Sequence, residues 1–191
     1  MFKNLLLIPF AYSNLTLIAL LLLTVTSCSV KNSPVIYYNS FDFSQVNSYS
    51  FYQSGSEFFD SQNLSYAQRS RIELAIEKHL DSQSFHYSDL NSADIIVTYH
   101  IVEQSTASYK AYNKSVLFCA HCLRANSWIK GSTPWQVSPG SLIIDLVDPK
   151  NNRSVWRSIY PLNYQVEDNS MVMNEKITNA VAAMLSQYPR K

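Results

Sequence analysis

The sequence predicts an α+β fold: a two-layer sandwich with a mostly antiparallel sheet and two helices on one face, in the order β-β-α-β-β-β-α. Three observations predict it. Pro139–Ser158 holds two apolar runs on either side of a polar turn. Two stretches, about Tyr66–Asp81 and Val172–Gln187, carry apolar residues at helical spacing. Asp94–Glu103 is apolar on both of its alternating faces, which suits a strand in the middle of a sheet. Strands grouped with helices that must each bury one stripe give layered α+β architecture.

The chain begins with a segment that does not belong to that fold. Lys3 is the only charge before residue 28, and Leu5–Thr26 is largely apolar. Its densest part, Leu15–Val25, falls short of the ~20 apolar residues that span a bilayer. A charged start, a short apolar core and small residues ahead of a cysteine have the form of a signal peptide. Val25-Thr26-Ser27-Cys28 resembles a bacterial lipoprotein signal, in which the peptide is removed before the cysteine and that cysteine is acylated. This resemblance implies a signal peptide over 1–27, lipid on Cys28 and a tether over 28–34. A single domain over 35–191 follows. Ser29, where Asp is absent, implies the outer-membrane class of sorting. One acyl chain binds a membrane only marginally, whereas several hold it durably, so the expected location is the cell envelope, at the periplasmic face of the outer membrane.

The formal net charge is +1 and falls to neutral once Lys3 is gone. That excludes the electrostatic footprint of a nucleic-acid partner and leaves no polybasic membrane patch. With three Gly but thirteen Tyr and nine Phe, the chain is too aromatic for a disordered tail.

Taken in order, Val35–Tyr38 and Ser48–Tyr52 read as strands, with Asp42 and Ser44 in a turn between them. Ser65-Tyr66-Ala67-Gln68 has capping-box form, because the Ser hydroxyl can accept from the third helical N–H while Gln reaches back. Ile72, Ala75, Ile76, His79 and Leu80 form the stripe of the first helix, with His79 at its boundary rather than a ligand. Ser82–Asn91 is expected as a loop. Asp94, at the mouth of the next strand, reads as a turn or cap residue. In the central hairpin, Leu142, Ile144 and Leu146 oppose Ile143, Asp145 and Val147, and Val155, Arg157 and Ile159 oppose Trp156, Ser158 and Tyr160. Asp148–Arg153 is the turn, and Trp156 is expected against a helix. Asp145 and Arg157 fall on strands that should pair, as an ion pair or as two solvated edge charges. The solvated reading is preferred, since exposed pairs contribute only ~0–1 kcal/mol. Leu162–Glu167 alternates and could prolong the strand. Ile177, Ala180, Val181, Met184, Leu185 and Tyr188 form the stripe of the second helix.

Residues 105–138 read as a loop insertion, long for a compact domain, with short strands as an option at Ser115–Phe118 and Asn126–Lys130. It holds the sharpest chemical candidate, Cys119-Ala120-His121-Cys122. A C-x-x-C can be a disulfide, half of a metal site or a redox pair. His121 lies between the cysteines and cannot easily join them at one metal, and structural zinc wants four ligands. An oxidising envelope favours a local disulfide. Tyr109, Tyr112, Trp128 and Trp135 give the insertion an aromatic character that suits a binding surface or simple core cover. No serine elbow, Gly-rich phosphate loop or His-Glu-x-x-His pattern occurs, so no enzyme and no cofactor are expected.

Several motifs together resemble a family of bacterial lipoproteins, domain of unknown function 4136. They are the signal ending at Cys28, Phe41-Asp42-Phe43-Ser44 followed by Tyr49, and Ala93-Asp94-Ile95-Ile96-Val97. Gly140-Ser141-Leu142-Ile143-Ile144-Asp145-Leu146-Val147-Asp148, Val155-Trp156-Arg157, and Asn179-Ala180-Val181 leading to Tyr188-Pro189 complete the set. The insertion around Cys119 has no counterpart in that pattern. The resemblance implies an envelope lipoprotein and carries over no catalytic residue. The sequence thus points to a lipid-anchored binding or envelope-maintenance module, with a membrane and an envelope protein as partners. A thiol-redox or metal protein built on Cys119 and Cys122 is the alternative.

Overall fold

A computed structural model describes residues 35–52, 64–103, 106–117, 137–165 and 167–190, which lie within one compact unit. The expectations placed on Cys28, Cys119, His121, Cys122, Trp128 and Trp135 lie outside the described residues.

The elements follow one another as β1 (Val35–Tyr37), a 3-10 turn (Phe43–Gln45), β2 (Ser48–Phe51), α1 (Tyr66–Ser82), β3 (His86–Tyr87), β4 (Ile95–Ile101), α2 (Thr106–Ser115), β5 (Ser141–Asp148), β6 (Arg153–Pro161) and α3 (Ser170–Leu185). The six strands form one sheet in the order β1-β6-β5-β4-β2-β3. The α+β class holds, but the sheet is mixed rather than mostly antiparallel. β4, β5, β6 and β1 pair antiparallel in succession, whereas β2 runs parallel to both β3 and β4. The reason is the crossover through α1: a strand that returns through a helix re-enters the sheet in its original direction. β3 lies in the expected loop around Phe85 and Tyr87. It is only two residues long, too short to show an alternating pattern.

Three α-helices are present among the described residues, not two. α1 and α3 cover one face of the sheet. Their stripes, Ile72, Ile76 and Leu80 against Ile177, Val181 and Met184, are buried with Ile95, Val97, Leu142, Ile144, Leu146 and Trp156. α1 opens on the expected capping box, in which Ser65 Oγ accepts from Gln68 N and Ser65 N donates to Gln68 Oε1 at 2.9 Å. Asn169 caps α3 by accepting from Met171 N and Val172 N. The third helix, α2, lies within the 105–138 insertion, and Ser115 ends it rather than starting a strand. It covers the other face, where Tyr112 and Val116 pack with Ile96, Ile143, Val147 and Ile159.

The β5–β6 hairpin forms as the sequence predicts, with two local features. Asn152, at φ +47°, takes a left-handed position in the turn, which Asn tolerates better than most residues. A register shift pairs Leu146 with Trp156 but Val147 with Ser154. The extra residue, Val155, is a β-bulge, and past it the strand changes phase. β6 ends at Pro161, so the alternation after Leu162 is not part of the strand.

At the end of the sheet where β2 and β4 begin, Asp94 acts as more than a turn residue. Its Oδ2 accepts from Asn47 N at 3.0 Å, Ser48 N at 2.9 Å and Ser48 Oγ at 2.8 Å, and Asp94 N in turn donates to Ser48 Oγ. The bracket joins the two parallel strands where β2 starts. Burial acts to raise the Asp94 pKa, but these hydrogen bonds outweigh it and hold the carboxyl below its usual value. A carboxyl depressed in the folded state contributes stability above its unfolded pKa and loses it as pH falls through the folded value. Asp94→Ala should therefore cost about 1–2 kcal/mol at neutral pH, read by urea unfolding. The gap from wild type should close as the pH is lowered below ~4.

Candidate functional site

The densest polar cluster lies beneath α2. Asp145 and Arg157 are register partners on β5 and β6, and both side chains are fully buried. Arg157 Nε donates to Asp145 Oδ1 at 2.8 Å and Oδ2 at 3.0 Å. The preferred expectation of two solvated edge charges is therefore wrong. β5 and β6 lie inside the sheet, and α2 seals the face they share. Two consecutive helix residues close over the pair. The Tyr112 hydroxyl donates to Asp145 Oδ2 at 2.6 Å, and Asn113 Oδ1 accepts from Arg157 Nη1 at 2.7 Å. Ser154 Oγ completes the shell on Asp145 Oδ1. It can do so because the bulge at Val155 turns Ser154, not Val155, toward this face. Ser154 N also donates to Val116 O at 2.9 Å, which fixes the C-terminal end of α2.

The electrostatics follow from burial and pairing. Burial disfavours the Arg157 charge, but the Asp145 carboxylate more than compensates, so its pKa rises. Burial and then the Asp145 charge push the Tyr112 hydroxyl well up, which keeps it a donor. His100 is 1 % exposed and stacks on Tyr112, with ring centroids 4.8 Å apart and planes 15° apart. Among the described residues neither of its ring nitrogens has a hydrogen-bond partner. Burial lowers its pKa to about 4, with Arg157 acting in the same sense against Glu103 and Asp145. His100 is accordingly neutral at pH 7.

Serine, carboxylate, histidine and tyrosine thus meet in one place, but their arrangement suits support rather than catalysis. Asp145, Arg157, Ser154, Tyr112 and His100 are all buried, and His100 makes no hydrogen bond to Ser154 or Asp145. Of the sequence-nominated aromatics, Tyr112 faces inward as part of this clasp, and Tyr109 packs half-buried beside it. His79 makes a 2.7 Å contact with Gln83 Nε2, as a boundary residue does. Among the described residues no group of His, Cys, Asp and Glu could hold a metal ion. Sequence reasoning missed α2 and, with it, the role of Asn113. The spacing of Tyr109, Tyr112 and Val116 was the available signal.

Among the described residues, open grooves lie at the loop end of the sheet, where the 3-10 turn, the Asp94 bracket, the β5–β6 turn and Pro189–Arg190 meet. A groove of about 670 Å³ is lined by Phe41, Asp42, Asn91, Asp94, Asp148 and Lys150 among others. A second of about 550 Å³ shares Phe41 and Asp42 and adds Tyr37, Phe43, Pro189 and Arg190. Phe43 anchors this loop, with edge contacts to Tyr37, Phe41 and Tyr188, and the Tyr188 hydroxyl donates to Phe43 O at 2.7 Å. Asp42 accepts from Ser44 N and Ser44 Oγ. The carboxylates of the wall are likewise engaged, since Asp148 accepts from Lys150 N and Asn151 Nδ2.

These features define a mixed-sheet α+β domain with a sealed ionic clasp on one face. The chain belongs to the family described as domain of unknown function DUF4136, whose family model matches residues 35–190. No curated protein matches it. Among solved structures it is similar to a DUF4136 family protein from Bacteroides thetaiotaomicron VPI-5482, at 14 % identity and a TM-score of 0.48, over 82 % of this chain and 95 % of that one. It is also similar to a PDZ domain protein from Parabacteroides distasonis ATCC 8503, at 16 % identity and a TM-score of 0.44, over 84 % of this chain and 37 % of that one. The PelC dodecamer from Paraburkholderia phytofirmans matches at 9 % identity and a TM-score of 0.36, over 84 % and 98 % of the two chains.

Two measurements test the clasp. Arg157→Met leaves a buried carboxylate unpaired and should cost about 3–5 kcal/mol in urea unfolding, while Asp145→Leu combined with Arg157→Met should recover much of that loss. The second concerns His100. Its folded pKa of about 4 lies below the ~6.5 of an unfolded histidine, so the unfolded chain binds more protons between those values and stability falls as pH drops through that window. His100→Phe, which keeps the stacking on Tyr112, should flatten the unfolding midpoint across that window.

Proposed function

We propose that the chain is a lipid-anchored, non-enzymatic binding module of the cell envelope, held by acylated Cys28, with the loop end of the sheet as its contact face. One observation carries the reading: the residues capable of acid–base or nucleophilic chemistry beneath α2 are closed to solvent, whereas the grooves around Phe41–Ser44 are open. The lipoprotein part rests on the signal ending at Cys28, which lies outside residues 35–190 that the DUF4136 model matches. The expected contact surface was the whole insertion, 105–138. In its described part, α2 spends Tyr112 and Asn113 on the clasp, while Trp128 and Trp135 lie outside the described residues; we place the contact face at the loop end.

A thiol or metal protein built on Cys119 and Cys122 remains the second reading, favoured by their C-x-x-C spacing. Its sequence context supports a disulfide in an oxidising envelope.

The intact mass of membrane-extracted protein should equal Cys28–Lys191 plus acyl groups, and an unprocessed mass would remove the anchor. Alkylation of Cys119 and Cys122 should require prior reduction; ready alkylation with bound metal would instead promote the thiol reading. A photo-crosslinking amino acid in place of Asn91 should give one discrete adduct in intact envelopes. A pattern no different from that at Lys78, on the outer side of α1, would count against the loop end.

A further inference from the structure

The two most exposed large apolar side chains among the described residues are Tyr66, at 87 %, and Met171, at 76 %, with Val172 at 36 %. They are far apart in sequence but share one end of the domain. β2, β4 and β6 run in the same direction, because β4 is parallel to β2 and two antiparallel steps separate it from β6. α1 follows β2 and α3 follows β6, so both helices start at the end where those strands finish. The two helices also pack against each other on one face of the sheet. Arg71, in the second turn of α1, acts electrostatically on Tyr164, in the connection leading to α3, which fits that shared end. Tyr66 and Met171 therefore project from the first turns of neighbouring helices.

β1 has its first residue toward the same end. β1 is antiparallel to β6 and pairs Val35 with Ser158, near where β6 ends. Val35 follows Cys28 by seven residues, which at full extension reach at most ~25 Å. With lipid on Cys28, a span this short would keep the start of β1 within that distance of the bilayer. Charge at this end is mixed, with Arg71 and Lys176 beside Glu167, Asp168 and Glu175, and Lys176 is already paired with Asp168. The helix N-termini are satisfied by Ser65 and Asn169, so they do not present an anion site. What this end offers is apolar contact.

From this we infer that the first turns of α1 and α3 dock on the lipid bilayer, with Tyr66, Met171 and Val172 entering the headgroup region. The grooves at the loop end then face away from the membrane. This inference rests on the proposed acylation of Cys28.

The test uses the full chain, extracted from membranes and reconstituted in phosphatidylcholine vesicles that carry doxyl-labelled lipid. An environment-sensitive fluorescent amino acid replaces Tyr66, Met171 or, as a control, Tyr87, which is exposed on β3 at the opposite end. Docking predicts a blue shift and several-fold stronger lipid quenching at 66 and 171 than at 87. Equal quenching at all three positions, or none at 66 and 171 in protein whose mass shows the acyl groups, would overturn the docking and leave the anchor standing. A blue shift without quenching would assign this end to a protein surface, a second copy included, and would also overturn it. Protein without acyl mass would fail the anchor itself, and the docking with it.

Discussion

The buried pair of Asp145 and Arg157 is the constraint on which the far face of the sheet depends. Two charges removed from water are costly, and their mutual attraction offsets that cost only when the remaining donors and acceptors are also satisfied. Here Tyr112 and Ser154 engage the carboxylate, and Asn113 engages Arg157 Nη1. Three further arrangements follow from that requirement. α2 must lie in one register so that Tyr112 and Asn113 arrive together. β6 must carry a bulge so that Ser154 faces inward. β5 and β6 must be interior strands, because an edge would let water in. Such a pair adds little net stability over well-packed apolar residues of similar volume.

The helical face follows simpler rules. Ile72, Ile76 and Leu80 from α1 and Ile177, Val181 and Met184 from α3 meet the apolar side of β4, β5 and β6. Aromatic residues fill the margins, where Phe43, Phe85 and Tyr188 meet edge to face and Arg190 lies over the Phe85 ring, 4.6 Å from its centroid. The Phe-Asp-Phe-Ser stretch has a mechanical purpose at this margin. One Phe locks the loop into the core, the Asp closes the 3-10 turn, and the other Phe is left in the groove wall. The turn and the C-terminal residues thereby hold each other in place at the open end of the sheet.

Much of this was legible in the sequence, and the failures have identifiable causes. The α1 capping box, the two long stripes and the β5–β6 hairpin could be read because each rests on local chemistry repeated over several residues. The parallel pairing of β2 with β4 could not, because direction is a property of the crossover and leaves no mark in either strand. α2 was obscured by a polar composition with only Tyr109, Tyr112 and Val116 to mark its inner face. The burial of Asp145 and Arg157 was misjudged for the same reason: nothing in β5 or β6 records that a helix from elsewhere will cover them. The DUF4136 pattern was recognisable because several of its motifs fall on the hairpin, the Phe43 loop and the Asp94 bracket, where several contacts depend on one residue.

The position of β1 carries a consequence for assembly. Ile36 stands opposite Arg157, so the first strand of the domain has no partner until almost the whole chain has been made. The β5–β6 hairpin and the helix that follows it close over local contacts, whereas β1 must wait for a contact of very long sequence separation. Growth from the N-terminus therefore leaves an apolar strand unpaired during synthesis, a period in which such strands are prone to aggregation. Its three-residue length keeps that exposed edge small. The same late step seats Val35 beside Ser158, so completion of the sheet and fixing of the point where the domain's chain enters it are one event.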